Sequence, residues 1–289
     1  MKVALCLSGQ PKLYDKGYPF LKKYLIDEYN IEDVFVHFWW NDKTGSIGTP
    51  PPWQHGVGDE IIQNKNHYSN IQELYNPVLM TYDTPMVNQM KVTDKERELK
   101  PEGGGQACEL WFNHSKRTRE YLYNHYRSMF KSQYIVNQLK REHERQQGFK
   151  YDLVVRTRFD IELHPTKMTK DVMMPEEGWK TKGGFVPSIQ QMKDCETEKD
   201  IWSRVLSEKV YTIYDNLFIY KSTTHDEIMD ELWDNFDEIF YDQLEEFGKR
   251  THNGVAVGTP EDIQEIVISE RLKKHLHGLP GDSLEIIRL

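Results

Sequence analysis

The run Tyr151-Asp152-Leu153-Val154-Val155-Arg156-Thr157-Arg158-Phe159-Asp160-Ile161-Glu162 changes character halfway along, and that change constrains the whole chain. Leu153 to Val155 are branched and apolar, which suits a strand buried on both faces, the kind found in parallel sheets covered by helices. From Arg156 onward charge alternates with bulk: Arg156, Arg158 and Asp160 are interleaved with Thr157, Phe159 and Ile161. Period-two geometry predicts that the three charged side chains share one side of the strand's carboxyl end. Two guanidinium groups and a carboxylate there are costly to desolvate unless something pairs with them. Two arrangements meet that demand. Arg158 and Asp160 can neutralise each other, or the cluster can hold an anionic ligand, partly by guanidinium and partly through a metal on Asp160.

The rest of the chain supplies the sheet such a strand needs. Residues 2–7 read as a first buried strand, followed by the small loop Ser8-Gly9-Gln10-Pro11-Lys12. A glycine-containing loop after an N-terminal strand is where α/β sheets receive a nucleotide or phosphate, although it is also an ordinary turn. Residues 18–29 have helical spacing, with Phe20, Leu21, Tyr24 and Leu25 on one face, and residues 33–40 are a second strand. Strand, helix, strand in this order implies parallel pairing through a right-handed crossover. His37, near the end of the second strand, is either a satisfied core residue or a ligand contact. Residues 43–58 form an irregular loop whose Trp53 and His55 suit stacking on a sugar or base, or simply pin the loop down. Residues 77–82 are a third strand.

Residues 109–145 are helical, with a break expected near Asn124-His125. Beyond the break Ser128, Lys131 and Ser132 share a face, so Lys131 either reaches a ligand phosphate or stays solvated. Farther on, Asp215 and Asn216 open an apolar strand. Asp215 has no basic neighbour closer in sequence than Lys209 and Lys221, six positions away on either side. Residues 227–240 are an amphipathic helix. Thr259-Pro260-Glu261-Asp262 is a helix start, with Thr as N-cap, Pro at the first helical position and acids in the first turn.

Composition narrows the function. The 289 residues allow one large domain or two small ones sharing a cleft. The expectation is one α/β domain with a mostly parallel, Rossmann-like central sheet flanked by helices. Within it residues 1–160 form one half, whose loop after the first strand suits a nucleotide, and residues 161–289 form the other. A formal charge of -9 argues against non-specific nucleic-acid binding, which needs a basic surface. Cys6, Cys108 and Cys195 are odd in number and contain no CxxC, so neither a disulfide framework nor a cysteine zinc site is indicated. The apolar run Val3 to Leu7 is too short for a signal segment or a membrane span, so a soluble cytoplasmic protein is expected. There is no GxxxxGK[ST] and no kinase signature set.

Taken in order, the strand–SGQP loop, the second strand ending His37-Phe38-Trp39, the long helical region and YDLVVRTRFD resemble a group of small GT-A-type glycosyltransferases. Such enzymes occur in large algal viruses, where some build capsid-protein glycans with xylose, and in bacterial surface-polysaccharide clusters. The likeness covers most of the chain and is strongest at residues 2–12, 33–41, 127–162 and 214–222. It implies a GT-A-like fold and transfer from a nucleotide-diphosphate sugar, UDP-linked and with UDP-xylose a candidate, to an oligosaccharide hydroxyl, inverting and metal-assisted. For a viral member the site of action would be the host cytoplasm.

The resemblance also implies roles. Ser8, Gly9, Gln10, His37, Lys131, Arg156 and Arg158 would surround the nucleotide diphosphate. Asp160 would hold Mn2+ or Mg2+, and Asp215 would be the general base. His252, His275 and His277 are candidates to complete the metal site. One departure stands out. Where such enzymes carry Asp-x-Asp, this chain has Arg158-Phe159-Asp160, so Arg158 can itself neutralise part of the diphosphate. Two other readings compete: a kinase or nucleotidyltransferase, and a non-catalytic sugar- or nucleotide-binding module with a degenerate site.

Overall fold

The computed structural model describes residues 2–27, 29–48, 61–62, 66–86, 119–163, 210–213, 216–243, 260–274, 276–278 and 284–286. In chain order it contains β1 (Val3–Gly9), α1 (Tyr14–Leu21, continued by a π-helical turn Lys22–Ile26), β2 (Asp33–Trp39), α2 (His67–Tyr75) and β3 (Leu79–Asp83). Next come α3 (Arg119–Gln147), β4 (Leu153–Thr157), β5 (Ile161–Leu163), β6 (Val210–Ile213), β7 (Leu217–Lys221) and α4 (Ser222–Asp234). The last elements are α5 (Pro260–Glu265, continued by a π-helical turn Ile266–Arg271), β8 (Leu276–Gly278) and β9 (Leu284–Ile286).

Seven strands form one sheet in the order β3-β2-β1-β4-β7-β6-β8, and β5 pairs with β9 in a second, two-stranded sheet. Within the large sheet β7 alone runs against its neighbours, being antiparallel to both β4 and β6; the other pairs are parallel. The expected mostly parallel α/β sheet flanked by helices is therefore present, with one reversed strand that the apolar pattern of residues 210–220 did not reveal. No helix among the described residues is long and apolar enough to cross a membrane.

Strand alternation divides the core into two layers. Leu5, Leu7, Leu153, Val155, Leu217 and Ile219 face one side, with Leu21 of α1 and Ile71 of α2. Ala4, Cys6, Val154, Phe218 and Tyr220 face the other, with Phe130 and Val136 of α3, Ile228 of α4 and Ile263 of α5. Both faces are covered, which is why the strands read as continuous apolar runs. Burial pushes the Cys6 thiol up to about 12, so it stays protonated and inert.

The expected break near Asn124-His125 is absent, and α3 runs unbroken from Arg119 to Gln147. Asn and His lower helix propensity by only about 0.7 kcal/mol or less each, and the run contains neither Gly nor Pro. The buried rings of Tyr123, Tyr126 and Phe130 on either side hold the helix through this region. Farther along, the buried Lys140 ammonium lies 2.8 Å from Asp226 Oδ1 and donates to Ser222 Oγ at 2.7 Å. Glu144 accepts from the Ser222 hydroxyl and from the Tyr151 N–H, both at 3.0 Å. These interior charges are paired and hydrogen-bonded, the condition under which burying them is tolerable. They fix α3 and α4 to the start of β4, the end of the sheet opposite the site described next.

Candidate functional site

Chain connectivity reverses between β1 and β4. From β1 the chain steps outward to β2 and β3, and β4 then returns to the opposite flank of β1. In open α/β sheets the crevice beyond the strands' carboxyl ends at such a switch point is where ligands bind. Here it is bordered by Ser8 and Gly9 at the end of β1, by the loop through Lys12, and by the turn Arg158 to Asp160 after β4. Because β7 is antiparallel, its beginning also arrives there: Thr157 is in register with Leu217, and its hydroxyl donates to the Asn216 carbonyl at 2.9 Å.

The structure corrects the expectation that Arg156, Arg158 and Asp160 project together. β4 ends at Thr157, and residues 158–160 bend before β5 begins. Phe159 is fully buried against Tyr75, with ring centroids 6.0 Å apart, in the same core layer as Leu153, Val155 and Ile161. Arg156, still within β4, lies in the layer of Val154 and Phe218, its guanidinium 4.3 Å from the Phe218 ring centroid. It faces the α3/α4 side of the sheet and does not border the crevice with Arg158.

Arg158 and Asp160 adopt the mutual pairing. Nε and Nη2 of Arg158 donate to the two carboxylate oxygens of Asp160, each at 2.8 Å, and Nη1 donates to Asn216 Oδ1 at 3.2 Å. The Asp160 side chain is buried, while that of Arg158 is 34% exposed.

Lys12, which the sequence reading passed over, completes the cluster. It is 7% exposed, and among the described residues nothing hydrogen-bonds or ion-pairs with its ammonium. Burial lowers its pKa to about 8; the Asp160 charge opposes that shift and the Arg158 charge adds to it. Among the described residues no hydrogen bond or ion pair answers this charge, and a largely desolvated ammonium of that kind is costly to the fold and typical of functional sites. The available signal was position: Lys12 ends the very loop whose first three residues were singled out.

A second layer of contacts holds that loop. The Gly9 N–H donates to Ser132 Oγ at 2.9 Å, and Ser132 Oγ is 2.7 Å from His37 Nδ1. Gly9 has φ +114°, a conformation that favours glycine. The Gln10 side chain packs on Gly48, where an added Cβ would come within 3.0 Å of its Nε2. His37 is fully buried, so it positions Gly9 through Ser132 and has no surface to offer a ligand. Lys131 is half-buried, with its ammonium 3.1 Å from Asp83 Oδ2 and 5.6 Å from the Trp39 ring centroid.

Burial depresses the His37 pKa to about 4, against the attraction of Asp83 and with the repulsion of Lys131. Between pH 4 and 6.5 the unfolded chain therefore carries more protons than the folded one. Stability is expected to fall as pH drops through that window, by on the order of 3 kcal/mol for His37 alone. Urea unfolding of His37→Gln should show a correspondingly flatter pH dependence; equal slopes in the two proteins would contradict this assignment. Burial lowers the pKa of His225 and of His67 too, so a slope remains in the variant.

Asp215, Trp53, His55, His252 and His275 lie outside the described residues, as does the side chain of His277, whose backbone belongs to β8. The described residues do not assemble a divalent-ion site: each oxygen of Asp160 accepts one hydrogen bond from Arg158, and no three of the described His, Cys, Asp and Glu converge to hold a metal. No protein-family model matches the chain and no curated protein matches it.

Proposed function

We propose that this chain is a GT-A-type glycosyltransferase that moves a sugar from a nucleotide-diphosphate donor to an oligosaccharide hydroxyl. The donor's diphosphate would lie over Gly9 and the turn at Arg158, with the acceptor on the side of residues 161–289. UDP and xylose are the nucleotide and sugar that the sequence likeness suggests, and Asp215 is the base it suggests. The observation that supports the reading best is the largely buried Lys12 side chain beside Arg158 at the sheet's switch point, whose ammonium has no hydrogen-bond or ion-pair partner among the described residues. Glycosyl transfer leaves charge on the departing diphosphate, and a cation fixed in advance in a water-poor crevice stabilises that charge without reorganising. Gly9, with no side chain, lets a phosphate approach the backbone.

Isothermal titration of the full chain with UDP-sugars and other nucleotide sugars, with and without manganese, tests this reading. Dissociation constants between about 1 μM and 1 mM are expected for at least one donor, the range in which enzymes meet their substrates. Absence of heat with every nucleoside diphosphate and nucleotide sugar would remove the proposal. Preference for nucleoside triphosphates would move the chain to the kinases or nucleotidyltransferases.

A further inference from the structure

We propose that the Lys12 ammonium, and not a divalent cation on Asp160, is the counter-charge for the donor's diphosphate, and that Asp160 serves to hold Arg158 in place. The inference rests on the diphosphate reading of the switch-point crevice and assigns its electrostatics.

Asp160 is poorly placed as a metal ligand. A hard cation needs free carboxylate lone pairs at about 2.0–2.6 Å, whereas each Asp160 oxygen already accepts a charge-assisted hydrogen bond from Arg158 at 2.8 Å. Freeing the carboxylate would break both of its hydrogen bonds from Arg158 and bring a dication beside Arg158 and Lys12. Among the described residues no group of three His, Cys, Asp or Glu converges to hold such an ion.

Lys12 has the opposite properties. Its side chain is largely buried and its ammonium has no hydrogen-bond or ion-pair partner among the described residues, so an arriving anion meets a cation that needs no stripping from a carboxylate. Its backbone is also fixed. The Lys12 N–H donates to the Gln10 carbonyl at 2.9 Å, closing the loop, and α1 begins two residues later. Gly17 of α1 then lies directly on the Phe159 carbonyl, which sets α1 and the turn at residues 158–160 in one relative position. Lys12 and Arg158 thus reach the crevice from two elements locked together, the preorganisation that anion binding without a metal requires.

Inorganic pyrophosphate is the probe, titrated calorimetrically into the full chain in excess EDTA and again in Mn2+. Binding in EDTA is expected, weakened at least tenfold in Lys12→Met, since one charge-assisted contact is worth about that much or more; Asp160→Asn, which loosens Arg158 and leaves Lys12, should lose less than Lys12→Met and by the same factor in EDTA and in Mn2+. Lys12→Arg, which retains the charge, should recover part of the loss, and thermal melts establish that each variant is folded. Pyrophosphate binding that appears only with Mn2+ and disappears in Asp160→Asn would overturn the proposal, as would no binding in either condition. Binding in EDTA with UDP no tighter than pyrophosphate would leave the Lys12 assignment standing and end the glycosyltransferase reading, so the two fail separately.

Discussion

Lys12→Met is expected to make the protein more stable while removing its affinity for diphosphate. Most substitutions of buried residues destabilise, so the sign is diagnostic. Lys12 is 7% exposed, and its pKa of about 8 against the ordinary 10.5 measures what its charge costs the fold. At pH 7 that difference corresponds to about 3 kcal/mol. Methionine fills a similar volume with a flexible apolar chain and has nothing to desolvate, so a gain of about 1–3 kcal/mol in unfolding free energy should follow. The folded pKa lies below the unfolded one, so between pH 8 and 10.5 the unfolded chain binds more protons. Wild-type stability therefore rises with pH across that window, and the advantage of the variant should shrink by pH 10. Urea unfolding at pH 7 and pH 10 measures both effects. A variant less stable than wild type at pH 7 would mean that the ammonium has a structural partner and is not held open for a ligand.

The other large effect is expected at Gly17. A Cβ on this residue of α1 would stand 1.9 Å from the Phe159 carbonyl oxygen and 3.3 Å from the Ile161 nitrogen. Both neighbours are backbone, fixed by the buried Phe159 ring and by pairing of Ile161 with Ile286, so no side chain can swing aside. Gly17→Ala must lift α1 off the turn, and a loss of about 3 kcal/mol or more is expected. Lys12 precedes α1 and Arg158 belongs to the turn, so the same displacement should weaken pyrophosphate binding in whatever fraction remains folded. Gly148→Ala is the control: its φ of +69° is unfavourable for alanine, but nothing lies within 4 Å. That change should cost only about 1–2 kcal/mol and leave pyrophosphate affinity intact. Equal losses at the two glycines would show that the Gly17 contact relaxes freely.

Much of the frame was legible from the chain itself. The apolar runs at Val3–Leu7, Asp33–Trp39 and Leu153–Val155 mark buried parallel strands because both faces of each are covered by helices. The small loop after the first strand and the charged end of the fourth were recognisable as places where a ligand could sit, and both lie at the switch point. The reversal of β7 was not readable, because side-chain alternation has a period and no direction. Nor was the continuity of α3: local propensity disfavours Asn124 and His125 only slightly, and tertiary packing overrides it.

Within the site, residue types were visible in the sequence and their electrostatic roles were not. Arg156, Arg158 and Asp160 looked like one cluster because they alternate, yet β4 ends at Thr157, so Arg156 stays inside the strand against Phe218 while Arg158 and Asp160 pair in the turn beyond it. His37 looked like a contact and instead holds Ser132 and Gly9 from inside. What the amino-acid order determined is the α/β sheet and the identity of the charged groups delivered to its carboxyl edge, since hydrophobic period and strand length follow from local sequence. What only the tertiary structure decided is which charge goes unanswered. Arg158 found Asp160 at 2.8 Å, and no carboxylate among the described residues hydrogen-bonds or ion-pairs with Lys12, because Coulomb attraction and desolvation depend on separations of a few ångströms that folding alone sets.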